Sequence, residues 1–247
     1  MKFIDISKWN GIFDWQKSVN QGVEGAWLKA SGSGPYGNYE DNRFKENSES
    51  CPLPYKGAYH YFDYTGRSGK DQCKFFLDTC DGFNNLRGVL DLEDNSGNGW
   101  PKLSSMYGAA LREALAFVQQ YMLETGHFPV MYLNTGLTIL QDTWGRYTFR
   151  NFLECPLWVA RYADVPDPLV SGTKHAAWPD YGAWQYTSKE NGYLYGNAPG
   201  NDFIDMNIVK DLKSLLVPGE TGSGNTGEVV TDSQKLEKLW VAHPELH

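Results

Sequence analysis

Eight short apolar runs of strand length recur along this chain, and they constrain its fold more than any other feature. They are Phe3-Ile4-Asp5-Ile6, GAWLKAS at 25–31, KGAYHYFDY at 56–64, GVLDLED at 88–94, PVMYLN at 129–134, PLWVARY at 156–162, GAWQYT at 182–187 and FIDMNIV at 203–209. Most are followed by a loop or a helical pattern. A long helix is expected from about Ser104 to Thr125, with Ser104 as N-cap and Leu111, Leu115 and Val118 on one face. Residues 68–81 and the VKDLKSLL that closes the last run are two further helix candidates. Strand and connection repeated to eight predict an α/β chain folded as a (β/α) barrel or a close relative. The runs from the fifth to the eighth are closely spaced, so the expected barrel is a modified one, with eight strands and a reduced set of helices. A doubly wound open sheet is the rival. It would need an early glycine-rich phosphate loop, which SGSGPYG at 31–37 imitates poorly.

The 247 residues suit one large domain, and an apolar share of 41% is enough for a core. Residues 1–217 read as that barrel. PGETGSGNTGE at 218–228 has no apolar anchor and reads as a linker. Residues 229–247 are too few for a core of their own. They are expected to dock as a helix, or to make a self-association or partner contact.

A net charge of −8 with no basic-aromatic tract argues against nucleic acid as a partner. No stretch approaches the 18 apolar residues of a membrane span. The four cysteines, at 51, 73, 80 and 155, form no CxxC and no zinc-type spacing with histidine, so neither a metal nor a cofactor is expected. Cys73 and Cys80 share a helix face about 10 Å apart, too far for a disulfide within an intact helix. MKFIDISKW lacks the apolar run of a signal peptide. Any export is then expected to use something the chain does not encode, such as lysis or a membrane pore.

The acids carry the chemistry. Along an extended segment Val89, Asp91 and Glu93 share one face, with the two carboxylates about 7 Å apart at Cα. Barrel sites lie at the C-terminal ends of strands. Asp5 ends the first run and Asp205 lies in the eighth, which neighbours the first in a closed barrel. Asp5, Asp91, Glu93 and Asp205 are therefore candidates to meet at one mouth. Crowded carboxylates raise one another's pKa, so one can donate a proton while another stabilises positive charge on a sugar ring. Tyr61, Phe62, Tyr132, Trp158 and Trp184 stand at the matching ends of other runs as candidate sugar platforms. Acids and aromatics together point to a glycoside hydrolase.

DISKWNG at 5–11, AWLKAS at 26–31, GAYHYF at 57–62, LDLED at 90–94, PVMYLN, LWVARY, AWQYT and IDMNIV at 204–209, in that order, resemble the glycoside hydrolase family 25 muramidases. These are the Chalaropsis-type lysozymes, which include many phage endolysins, and the resemblance covers residues 1 to about 216. It implies a modified barrel and cleavage of the β-1,4 bond between N-acetylmuramic acid and N-acetylglucosamine in peptidoglycan. It also implies Glu93 as general acid, Asp91, Asp5 and Asp205 as the other acids of the site, and Lys29 among the substrate-binding residues. Ser31 stands where the family usually has Thr, and Asn10 where it has Gln. Two alternatives stand beside this reading. One is a glycosidase acting on another N-acetylated polymer such as chitin, although the longer DxxDxDxE run is absent. The other is a non-catalytic wall-binding protein.

Overall fold

The computed structural model describes residues 1–80, 85–134, 148–171 and 174–220. Its eleven strands are β1 (Lys2–Ile6), β2 (Gly25–Gly34), β3 (Gly37–Glu40), β4 (Tyr55–Tyr61), β5 (Val89–Asp91), β6 (Val130–Asn134), β7 (Leu157–Ala160), β8 (Val170–Ser171), β9 (Lys174–His175), β10 (Ala183–Asn191) and β11 (Phe203–Val209). All eight apolar runs become strands, in the order β1-β11-β10-β7-β6-β5-β4-β2, and a β1–β2 pairing closes the ring. That pairing gives the barrel and excludes the open sheet. From β10 through β7, β6, β5, β4 and β2 to β1 the neighbours are parallel, whereas β10–β11 and β11–β1 are antiparallel. The reversal has a local cause. Only residues 192–202 join β10 to β11, and antiparallel neighbours need no long crossover.

Strand alternation sorts the core into two layers. Phe3, Trp27, Val89, Val130, Trp158, Ala183 and Val209 point into the barrel and pack together with Leu86 and Leu215. Ile4, Leu28, Ala58, Leu90, Met131 and Val159 point outward beneath the helices. The principal helices are α1 (Trp15–Asn20), α2 (Phe44–Ser50), α3 (Gly69–Thr79) and α4 (Leu103–Thr125). α3 starts where expected, with the Ser68 side chain accepting from the Asp71 N–H. α4 is capped two residues earlier than expected: Lys102 is its N-cap, without a side-chain cap, so Ser104 lies inside the helix. Leu103, Ala110, Leu111, Ala114, Leu115 and Val118 bury one face of α4, at about 2 kcal/mol for each larger aliphatic side chain. Gly126, at φ 76°, ends it by donating to the Met122 carbonyl.

Two expectations need correction. VKDLKSLL forms only one helical turn, Leu212–Leu215, because Val209 still belongs to β11. That turn inserts Leu215, fully buried, into the bottom of the barrel, where its carbonyl accepts from the Arg87 N–H at 2.8 Å. The glycine-rich stretch at 31–37 is the end of β2, a turn at Pro35 and Tyr36, and the start of β3, a hairpin that the sequence reading did not foresee. The four cysteines are buried free thiols. The linker and tail assigned to 218–228 and 229–247 lie, from residue 221 onward, outside the described residues.

Candidate active site

Above the apolar floor of the barrel the inward side chains turn polar. β1 supplies Asp5, β2 Lys29, β4 Tyr59 and Tyr61, β5 Asp91, β10 Gln185, and β11 Asp205 and Asn207. β5 is only three residues long, so Glu93 stands just beyond it. The extended path continues there, with the Leu92 N–H donating to the Tyr132 carbonyl at 3.2 Å, and Glu93 keeps to the side of Asp91. The four acids proposed from sequence thus share one mouth. Asp5 and Asp205 are register partners across β1–β11, and the Asp91 and Glu93 carboxyls hydrogen-bond each other.

Each acid is shifted for a stated reason. Burial lifts Asp5 to about 6, against the pull of hydrogen bonds from Asn207 and Gln185. Burial, then the charges of Asp5 and Glu93, lift Asp205 to about 8. Asp91 is raised well above a normal carboxyl, first by burial and then by the Glu93 charge beside it. Glu93 is raised by burial, while its bond to Asp91 and the Lys29 ammonium oppose the rise. Burial thus raises both members of the Asp91–Glu93 pair, so the pair holds protons to higher pH than free carboxyls do. Asp91 Oδ1 is buried and has no hydrogen-bond donor.

A network missed from sequence supports the acids. Gln185 Nε2 and Asn207 Nδ2 both donate to Asp5 Oδ2, at 2.9 and 2.8 Å. The Gln185 amide oxygen accepts from the Tyr132 hydroxyl at 2.8 Å and the Tyr162 hydroxyl at 2.5 Å. Asn207 Oδ1 accepts from the Trp158 indole at 2.7 Å. The signal for Gln185 was present in GAWQYT: alternation places it on the face of Ala183.

The same alternation redistributes the proposed platforms. Tyr61 borders the site, its ring centroid 4.3 Å from the Lys29 ammonium. Phe62, the next residue, faces the other way, is 1% exposed and packs edge-on against Phe117 under the helices. Trp158 stacks on Trp27 inside the barrel at 4.3 Å and is 2% exposed, so no ring face is left for a sugar. Tyr132 is buried edge-on to Trp158, with its hydroxyl held by Gln185. These three are floor and core. Trp184 points out of the barrel, donates to the Arg161 carbonyl at 3.0 Å, and lines an outer groove with Tyr162, Tyr186, Lys189 and Ile208. Among the described residues no three His, Cys, Asp or Glu side chains are placed to hold a metal ion, and no helix is long and apolar enough to cross a membrane.

The profile described as "Glycosyl hydrolases family 25" matches residues 4–193. The chain belongs to glycoside hydrolase family 25. It is 26% identical over 212 residues to Lysozyme M1 of Streptomyces globisporus, covering 81% of this chain and 66% of that one. The chain spans between 55% and 71% of the length of the curated relatives it matches. The bacterial lysozyme from Streptomyces coelicolor superposes with a TM-score of 0.68 at 23% identity, over 85% of this chain and 92% of that one. The muramidase from Acremonium alcalophilum does so with 0.63 at 27% identity, over 85% and 93%. The family 25 barrel thus extends over nearly all of the described chain.

Proposed function

We propose that this family 25 chain is a muramidase that hydrolyses the β-1,4 bond between N-acetylmuramic acid and N-acetylglucosamine in peptidoglycan. The observation that carries the reading is the Asp91–Glu93 pair, two carboxyls on one face at the mouth of the barrel, both raised by burial. Glu93, the more accessible of the two, delivers the pair's proton to the glycosidic oxygen as the C1–O bond breaks. Asp91 is then a carboxylate. It steadies the N–H of the 2-acetamido group as that group's carbonyl oxygen closes on C1 to form an oxazolinium, a substrate-assisted variant of the two-carboxylate scheme. Water attacks C1, Glu93 recovers a proton from it, and the acetamido group is released. Asp205, lifted to about 8, is protonated at neutral pH and is a poor nucleophile. That favours assistance by the substrate over a covalent enzyme ester.

The test is to add the protein to a suspension of Gram-positive walls. Clearing with release of new reducing ends on muramic acid supports the reading. Retention on the walls without clearing would make the chain a binding module, and cleavage of chitin oligomers in preference to wall glycan would make it a different glycosidase. On this reading the enzyme acts on the wall after release from the cell that makes it, and residues 229–247 serve self-association or contact with a partner.

A further inference from the structure

Lys29 stands among the acids in an unusual setting. Its ammonium lies 4.3 Å from the ring centroid of Tyr61, and 5.9 Å from those of both Tyr39 and Tyr59. Tyr59 and Tyr61 come from the neighbouring strand β4. Tyr39 comes from β3 and folds back across Gly32, where an added Cβ would lie 2.5 Å from the Tyr39 hydroxyl oxygen. Any other residue at 32 would push that ring away. The unforeseen hairpin therefore supplies one wall of an aromatic cage, a favourable seat for a cation.

The cage is surrounded by charge. Tyr61, on whose ring the ammonium sits, is the register partner of Asp91 across β4–β5, and Glu93 follows Asp91 on the same face; the charges of Asp41, after β3, and Lys8, after β1, also act on Lys29. Burial pulls the Lys29 pKa down, and the three carboxylates oppose that pull, with Asp91 the strongest. Asp41 is already engaged by the backbone N–H groups of Lys8 and Arg43, each at 3.0 Å. Asp91 and Glu93 are therefore the carboxyls whose proton the ammonium can govern.

We propose that Lys29, seated by Tyr39, Tyr59 and Tyr61, is a positioning residue that acts through the Asp91–Glu93 pair, holding it at a single shared proton rather than gripping the glycan. The inference rests on the muramidase reading given above. Without the cation both carboxyls would keep their protons to higher pH. The pair would then be doubly protonated, with no carboxylate to steady the acetamido group, over part of the range in which the wild-type enzyme works.

The experiment is the pH profile of kcat on soluble peptidoglycan for the wild type, Lys29→Met and Lys29→Arg. Both limbs of the Lys29→Met profile should move to higher pH by about one unit, the lower end of what one close opposite charge produces. Lys29→Arg should stay near the wild type. A Lys29→Met profile lowered in height with its limbs in place would overturn the proposal, as would an Arg variant displaced as far as the Met variant. A second measurement needs no variant: the Lys29 side-chain nitrogen resonance, followed by NMR in the wild-type protein, should titrate with the same midpoints as the Asp91 and Glu93 carboxyl carbons. A flat lysine signal across that range would overturn it equally. A wild type that releases no reducing ends would refute the muramidase reading itself, whereas the NMR coupling would still report on the cage.

Discussion

Asp5 and Asp205 lie directly opposite each other across the antiparallel pair β1–β11, one at the end of its strand and the other near the start of its own. Two like charges so placed repel. The pair resolves the conflict unequally. Asp5 holds two amide donors and titrates at about 6, whereas Asp205 is lifted to about 8.

This inequality makes stability depend on pH. Both folded pKa values exceed the ordinary carboxyl value of 3.8, so between about pH 4 and pH 8 the folded state binds more protons than the unfolded one. Stability from these groups is therefore fully present below about pH 4 and is lost as pH rises through 6 and then 8. Asp205→Asn should raise the Tm at pH 8 by at least about 2 °C and have a smaller effect at pH 5. Calorimetry at the two pH values checks this, and equal effects at both would contradict it.

Glu93→Gln should lower kcat by at least ~10²-fold with little change in KM, because it removes the proton donor and keeps the shape. Reducing-end release from purified walls measures it. Near-wild-type turnover would move the acid to another residue.

Gln185→Leu should destabilise the fold by about 1–3 kcal/mol, since it strips a donor from buried Asp5 and leaves the Tyr132 hydroxyl without its acceptor. With one amide fewer, the Asp5 pKa should also rise above about 6. Urea denaturation gives the first quantity and carboxyl-carbon NMR the second.

Trp158→Ala and Phe62→Ala should each cost about 3–5 kcal/mol of stability, as truncations of buried aromatics. Tyr61→Ala should chiefly weaken binding of muropeptide oligomers, with a much smaller change in Tm. The reverse pattern in paired calorimetric and binding measurements would return Trp158 and Phe62 to the list of sugar platforms.

Truncation after Val217 should leave folding and cleavage of soluble peptidoglycan intact, while truncation after Lys210 should abolish stable folding. The second cut removes Leu215 from the barrel floor and the carbonyls of Leu215 and Leu216 that Arg87 binds. Circular dichroism and activity distinguish the two chains. Light scattering of the full-length protein tests self-association through the tail.

The strands and the four acids were legible because both follow local rules. Apolar runs of strand length give the strands, and the step from Asp91 to Glu93 keeps one face. The same rule separates Tyr61 from Phe62 and Trp184 from Gln185, but judging residues by their nearness to a strand end overlooked it. What could not be read was the partnership of distant polar groups. Asp5, Gln185 and Asn207 meet only because β1, β10 and β11 are neighbours with two antiparallel pairings. Lys29 gains its cage from a hairpin whose glycines gave no sign that Tyr39 would fold back over Gly32.

The antiparallel closure also determines where the barrel begins and ends. The Met1 amino group donates to the Val209 carbonyl at 3.0 Å, and the Val209 N–H returns a bond to the Met1 carbonyl at 2.9 Å. The start of β1 and the finish of β11 are thus knotted together at the pole opposite the acids. A segment that leads into β1 or leaves β11 therefore starts from that far pole, away from the acids. Reconnecting the two ends and reopening the chain at the β2–β3 turn would give a permuted enzyme with the same interior.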